Sequence, residues 1–432
     1  MMEEEIKLKK ATYHLWTFTI SKIISILGAN VLAFGISLYI LKMTGSATSF
    51  AMNMICSILP RVILSSFAGL LADRYSKKLI ILLSQGCTIL LMGGLLIYGY
   101  TSGISVVSIY IVTALYSITS TFNSVTFSSS IACLVDENRI QKATSFNQMS
   151  MSIAMIGGPA IGGMLYGFAS IEVFLIVHMV AYMFAFVLES TMDFKLFSKK
   201  QMEEQESMGM LKSIKEGFLY AKTKKAVATV LWVALWINFF LSVINVGGTY
   251  ILVEALKIKS QHVGIIESAG AVGMLVVSIF LSTRKQPKYP LLQSKRFIIL
   301  MAVTVGLTSG PLWTEFAYSV NFIYFIFIFF SFSVFGVFTN TPIGVMLQTE
   351  VEEEYRGRVF GILEAMSMGM MPLGTIIFGV LFDRVDPQWV LLGSCIALLI
   401  ISFYMMRSSV IKQIYPDIKE NSIKLKEKVQ HS

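Results

Sequence analysis

The run Gly69-Leu70-Leu71-Ala72-Asp73-Arg74-Tyr75-Ser76-Lys77-Lys78 decides how this chain is read. An apolar stretch ends there in Asp-Arg, turns, and restarts after Lys-Lys. On either side lies a segment long enough to cross a bilayer, which takes about 20 apolar residues in a helix. Working outward, twelve such stretches emerge, at 14–41, 48–72, 79–100, 104–132, 144–168, 171–192, 226–253, 262–283, 296–314, 319–347, 358–381 and 387–407. The expected fold class is therefore all-α integral membrane. Composition agrees, with 55% hydrophobic residues, 14% charged residues and a mean hydropathy of +0.70. Soluble domains carry about 25% charge.

The net charge of +9 does not mark a nucleic-acid binder, because the basic residues sit in short loops between apolar runs. Such loops follow the positive-inside rule. With the N-terminus inside, the inner segments hold 29 Lys and Arg, the outer loops hold 4, and Lys22 and Arg61 lie within spans. Both termini are expected to be cytoplasmic, and the Gly69–Lys78 run faces the same side. Cys56, Cys87, Cys133 and Cys395 fall in or beside apolar runs without metal-ligand spacing, and read as small packing residues. The first apolar run is too long for the core of a signal peptide, so no cleavable leader is expected.

The expected organisation is a cytoplasmic N-terminus at 1–13, a six-helix bundle at 14–192, a linker at 193–225, a second six-helix bundle at 226–407 and a cytoplasmic tail at 408–432. Within the polar linker, Leu211, Ile214, Phe218 and Ala221 recur at helical spacing, which predicts an amphipathic helix on the membrane surface. The two halves look duplicated. Pro159 and Pro372 lie in the fifth and eleventh spans, 213 residues apart, each after a charged loop. The same offset carries Asp73 to Gln286, inside Arg284-Lys285-Gln286-Pro287-Lys288, a degraded copy of the opening run. Repeated halves of this kind belong to alternating-access transporters, with the binding site near mid-membrane.

Three motifs extend this reading. Gly69-x-Leu71-Ala72-Asp73-Arg74-x-Ser76-Lys77-Lys78 resembles the cytoplasmic-loop signature of the major facilitator superfamily, with Ser76 where that pattern has Gly. Gly158-Pro159-Ala160-Ile161-Gly162-Gly163 resembles the fifth-helix signature of its drug antiporters. Arg356-Gly357-Arg358-Val359-Phe360-Gly361, taken with residues 136–163, is similar to the macrolide-efflux and enterobactin-exporter branch. The resemblance implies an exporter of hydrophobic or amphipathic molecules, macrolide-like drugs among them, driven by proton influx. It implies a small-molecule substrate, the lipid bilayer and protons as partners, with no nucleic acid, no metal and no cofactor, in a monomer. A siderophore or other acidic metabolite is the alternative cargo. The fourth span, 104–132, lacks the Arg or Lys that many proton antiporters place there.

Several residues carry this expectation. Gly69, Asp73, Arg74, Lys77 and Lys78 form a gating loop, in which the Asp73 carboxylate latches onto a helix N-terminus. Gly158, Pro159, Gly162 and Gly163 form a bendable, closely packed helix-five seam. Arg356, Gly357 and Arg358 form the corresponding second-half loop. Arg61 lies about mid-membrane, where a charge costs about 2.5–3.5 kcal/mol. It should therefore face a cavity, a substrate anion, or a partner such as Glu267 or Glu364. Those two glutamates are the candidate proton carriers, and Asn30 a candidate packing or substrate contact. Lys22 is expected to snorkel to the interface, and His178 to carry little. The chain lacks a Gly-x4-Gly-Lys-Ser/Thr loop and a His-Glu-x-x-His motif, which argues against ATP-driven pumping and intramembrane hydrolysis. A channel fits the duplicated halves less well.

Overall fold

Cap residues cut the apolar chain into helices. In this computed structural model, which describes residues 2–197, 218–220, 222–314 and 316–417, every regular element among those residues is helical. Among the described residues, twelve helices are long and apolar enough to cross a membrane. They are α1 (Met2–Thr44), α2 (Ala47–Arg74), α3 (Lys77–Ser102), α4 (Val106–Ser129), α5 (Glu137–Phe168) and α6 (Ile171–Ser190). The others are α7 (Lys225–Tyr250), α8 (Ser260–Ser282), α9 (Pro290–Leu307), α10 (Tyr318–Glu350), α11 (Glu353–Arg384) and α12 (Pro387–Met405). Ser46 caps α2 by accepting from the Ser49 N–H at 3.2 Å. Ser105 and Ser108 cap α4 reciprocally, which satisfies two end donors at once. Gly45 and Gly103 take φ of 63° and 78° at the turns after α1 and α3, where a Cβ would be strained. Pro290 and Pro387 open α9 and α12, where no N–H is needed.

Several element limits differ from the sequence expectation, among them the start of α5 at Glu137 rather than 144 and of α9 at Pro290 rather than 296. α1 begins at Met2 rather than near residue 14, and the Lys9–Glu5 pair at 2.9 Å sits on its added turns. α7 runs into a π-helical turn, Ile251–Ala255, with the Leu256 N–H bonded to the Ile251 carbonyl at 2.9 Å. The expected amphipathic linker helix lies almost wholly outside the described residues, which include only Phe218 of its stripe.

The described residues group into two compact units. The first holds α1–α6 together with Thr249–Ala271, the end of α7 and the first half of α8. Inside it α1 packs along α5 and α6, α2 along α4, and α3 along α4 and α6. Hydrogen bonds tie α2 to α4, from Tyr110 to the Ser49 carbonyl at 2.9 Å and from Thr113 to Asn53 Oδ1 at 3.0 Å. The second unit holds the rest of α7 and α8 with α9–α12. There α9 packs on α10 and α12, Phe297 stacks on Phe338 at 4.4 Å, and the Ser294 hydroxyl donates to the Thr339 carbonyl at 2.9 Å.

Candidate functional site

The gating loop is shorter than its motif. Gly69, Asp73 and Arg74 belong to the last turns of α2, Lys77 and Lys78 open α3, and only Tyr75 and Ser76 connect them. Lys77 reaches across to donate to the Ser129 carbonyl at 3.0 Å, placing a cation on the C-terminus of α4. That is where the helix macrodipole favours positive charge. A Cβ on Gly69 would meet nothing within 4 Å.

Arg356, Gly357 and Arg358 are not in a loop. They lie in the first two turns of α11, and Val351 and Glu352 alone join it to α10. The acidic run Glu352–Glu354 suits a helix N-terminus and starts α11 early. This corner is tied to the chain before α7: Tyr220 stacks on Tyr355 at 4.3 Å, its hydroxyl accepts from the Glu352 N–H at 3.1 Å, and Lys224 pairs with Glu352 at 3.4 Å. On the same unit, Lys288 of the Arg284–Lys288 turn pairs with Asp417 at 3.6 Å. Beside it, burial pushes the Tyr415 phenol up from its ordinary pKa.

The helix-five seam has two faces. Gly157, Gly158 and Gly162 lie against Leu27, Asn30 and Phe34 of α1. Pro159, Gly163 and Gly167 lie against Ser260, Gln261 and Gly264 at the start of α8. A Cβ on Gly163 would stand 2.6 Å from the Ser260 carbonyl, so only glycine admits that approach. Ser268 fastens the contact by donating to the Ile156 carbonyl at 2.9 Å. A matching approach occurs in the second unit, where Gly374 of α11 faces Phe239 and Ser242 of α7.

Asn30 donates to the Ile26 carbonyl of its own helix at 2.8 Å while its Cβ packs on Gly158. Glu267 accepts from Thr249 at 2.8 Å. Arg61 is exposed and makes no ion pair among the described residues, so the expected Arg61–Glu267 pair does not form. Glu364 sits in α11, two turns beyond Arg356. One and two turns from Arg61 along α2, Ser57 and Asn53 line a cavity of about 210 Å³, together with Ile36, Met92, Thr113 and Tyr116. Its lining is largely apolar.

Sequence reasoning missed the main buried polar cluster. Glu189, in the last turn of α6, is 1% exposed. It accepts from the Ser21 hydroxyl at 2.6 Å and from Gln85 Nε2 at 3.1 Å to both carboxylate oxygens. Lys22 does not snorkel. It is 4% exposed, with its ammonium 5.2 Å from the Phe127 ring centre. Lys22 stands in the middle of α1 on a face turned into the bundle, which encloses it. The available signal was Ser21, Lys22 and Ser25 interrupting one apolar span while Gln85 and Glu189 interrupted two others. His178 is also buried, in contact with Tyr116 and Tyr182, whose hydroxyls bond each other at 2.8 Å.

Residues 8–429 match the transmembrane secretion effector family. The chain is 24% identical over 407 residues to macrolide efflux protein A of Streptococcus pyogenes, covering 92% of this chain and 96% of that protein. It is 23% identical over 378 residues to the staphyloferrin A transporter of Staphylococcus aureus (strain NCTC 8325 / PS 47), covering 85% and 89%. In fold it resembles the nucleoside transporter NupG, with a TM-score of 0.69, 15% identity and coverage of 92% and 99%. Twelve apolar helices, the Gly69–Lys78 signature and a match from end to end lead to one conclusion: the chain belongs to the transmembrane secretion effector family of the major facilitator superfamily, and is a multi-pass membrane transporter rather than an enzyme.

Proposed function

We propose that this protein exports hydrophobic or amphipathic small molecules across the cell membrane by alternating access, coupled to proton influx. The observation that carries the reading is the match along nearly the whole chain to secretion effectors and to a macrolide efflux protein. The apolar cavity beside α2 and α4 suits such cargo, since ligand sites are apolar with a few placed polar groups. Both termini face the cytoplasm, which puts the α2–α3 turn on the inner surface and the contact of α5 with Ser260–Ser268 on the outer. In this cycle Asp73 acts as a latch, and the glycine contact between α5 and α8 opens and closes without interlocking side chains. The protein works as a monomer. Everted membrane vesicles with an imposed pH gradient test the reading directly. Saturable erythromycin uptake that a protonophore abolishes is the expected result, and ohmic flux without saturation would replace the exporter by a channel.

A second cargo class has its own support. Arg61 offers an exposed cation halfway along α2, which suits an acidic ligand, and the chain is similar to a protein named staphyloferrin A transporter. A siderophore panel measured beside the macrolide separates the two. Arg61→Gln should lower siderophore export and spare erythromycin.

A further inference from the structure

α1 meets α6 in a repeating register. Tyr13 bonds Thr191 at 2.9 Å, Ser21 bonds Glu189, Gly28 lies against His178 and Ala181, and Gly35 lies against Phe174. The contact at Gly35 needs glycine, because the Phe174 ring occupies the space a Cβ would take. The outer end of this seam is apolar and the inner two thirds are not. Starting from the inner end, it passes His14, then Ser21, Glu189, Gln85 and Ser25, then His178, Tyr182 and Tyr116, and ends at the 210 Å³ cavity that Tyr116 lines. At 1.5 Å per residue, the 14 residues from His14 to Gly28 span about 21 Å of α1.

Two properties separate this file from ordinary polar packing. Its titratable members are buried: His14 is 3% exposed, Lys22 4%, His178 1% and Glu189 1%. It also concentrates polar atoms without partners. Both ring nitrogens of His14, Oε1 of Gln85 and Nε2 of His178 are buried with no hydrogen bond. Each such atom is destabilising if left dry. Buried water relieves that cost where it finds two to four polar partners. A row of water-binding atoms punctuated by carboxylate, imidazole and phenol groups is suited to moving protons.

We propose that the interior of the first bundle between α1, α3 and α6 is a proton path, with Glu189 as its relay carboxylate and Lys22 as its fixed counter-charge. It rests on the proton-coupled reading above and supplies a route within one half of the protein, in place of Glu267 and Glu364. The chemistry is proton transfer alone. A proton passes from the cavity along Tyr116, Tyr182 and His178 through water to a Glu189 oxygen, forming an O–H bond there. That bond breaks again as the proton leaves by way of water to His14, and from His14 to the inner surface. The groups that act on Glu189 are Ser21 and Lys22 from α1 and Gln85 from α3. Tyr182 on α6 senses its charge, and Phe127 of α4 presents only its ring, to Lys22. His14 faces Lys10 on its own helix, Lys78 on α3 and Asp193 after α6, so its mouth is charged. Arg61 of α2 acts on Tyr116 and Tyr182 at the cavity end.

The test uses the purified full-length protein and separates a relay from a structural cluster. Infrared difference spectra between mildly acidic and mildly alkaline buffer should show a buried carboxylic-acid band that disappears in Glu189→Gln and persists, shifted, in Glu189→Asp. Lys22→Gln should move the same band. In proteoliposomes, Glu189→Gln should lower pH-gradient-driven erythromycin transport by about tenfold or more, an added barrier above ~1.4 kcal/mol. Erythromycin exchange without a gradient should remain. An unchanged infrared band, or gradient-driven transport at the wild-type rate in a well-folded Glu189→Gln protein, overturns the proton path and leaves the exporter intact. Wild-type protein that shows the Glu189 band but no gradient-driven erythromycin flux would instead remove the exporter reading and keep the proton site.

Discussion

The interiors of the two halves differ. Among the described residues of the first unit, Lys22 and Glu189 are buried with His14, His178 and Gln85. Among those of the second unit, the buried polar residues are serines, threonines and Asn321, several bonded back to their own helices as Ser242 is to Phe239. Both halves share the close glycine approach of the fifth-type helix to the first, at Gly158 on Asn30 and at Gly374 on Ser242. Both also pin the third-type helix with a lysine on a carbonyl at a helix end, Lys77 on Ser129 and Lys295 on Met406. The shared features are packing and the divergent one is buried charge. Duplication therefore preserved the scaffold, while among the described residues buried charge is concentrated in the first unit.

The largest effect should come from breaking that asymmetry. Glu189→Ala strands Lys22 and frees the donors of Ser21 and Gln85, and removing one member of a buried charged cluster costs about 3–5 kcal/mol. Ser242→Ala in the second half loses a single bond within its own helix, worth about 1 kcal/mol. Thermal unfolding in detergent should drop far more for the first. Equal drops would erase the distinction between the interiors.

The next contrast lies along α5 and α3. Gly264→Leu must push apart the Pro159 and Gly163 backbones, and overpacking of this kind costs about 1–3 kcal/mol. Erythromycin efflux should fall severely while expression persists. Gly86→Ala, where a Cβ meets nothing within 4 Å, should leave efflux unchanged and stabilise α3 by about 0.5–1 kcal/mol. An efflux-competent Gly264→Leu protein would reduce the glycine contact to ordinary packing.

Asp73→Asn and Gln286→Asn compare the opening run with its degraded copy. The first should insert normally yet transport several-fold more slowly, and the second should match wild type. Wild-type efflux rates in a well-expressed Asp73→Asn protein would end the latch reading. The smallest effects belong to the paired lysines. Lys77→Gln and Lys295→Gln should each cost about 0.3–1 kcal/mol, the worth of a cation at a helix C-terminus. Loss from only one of them, measured by thermal unfolding, would show that the two anchors have diverged.

The span count and fold class were legible because apolar length and caps are local properties. Snorkelling of Lys22 failed as an expectation because Lys22 lies on the face of α1 turned into the bundle, beside Phe127, rather than toward lipid or water. Arg356–Arg358 read as loop because charge runs usually are, whereas acidic residues at a helix start favour the helix. Glu189 was passed over because a carboxylate in the last turn of a span is usually wet.

By itself the chain determined its membrane class, its twelve spans and the superfamily of its opening run, since each depends on residues near one another in sequence. Only the tertiary structure decided which polar residues share an interior. Glu189 lies 168 residues from Ser21 and 104 from Gln85, and the three meet because α1, α3 and α6 pack together. No local pattern records that meeting. Burial, rather than residue type, turns a terminal glutamate and a mid-helix lysine into the charged centre of one half.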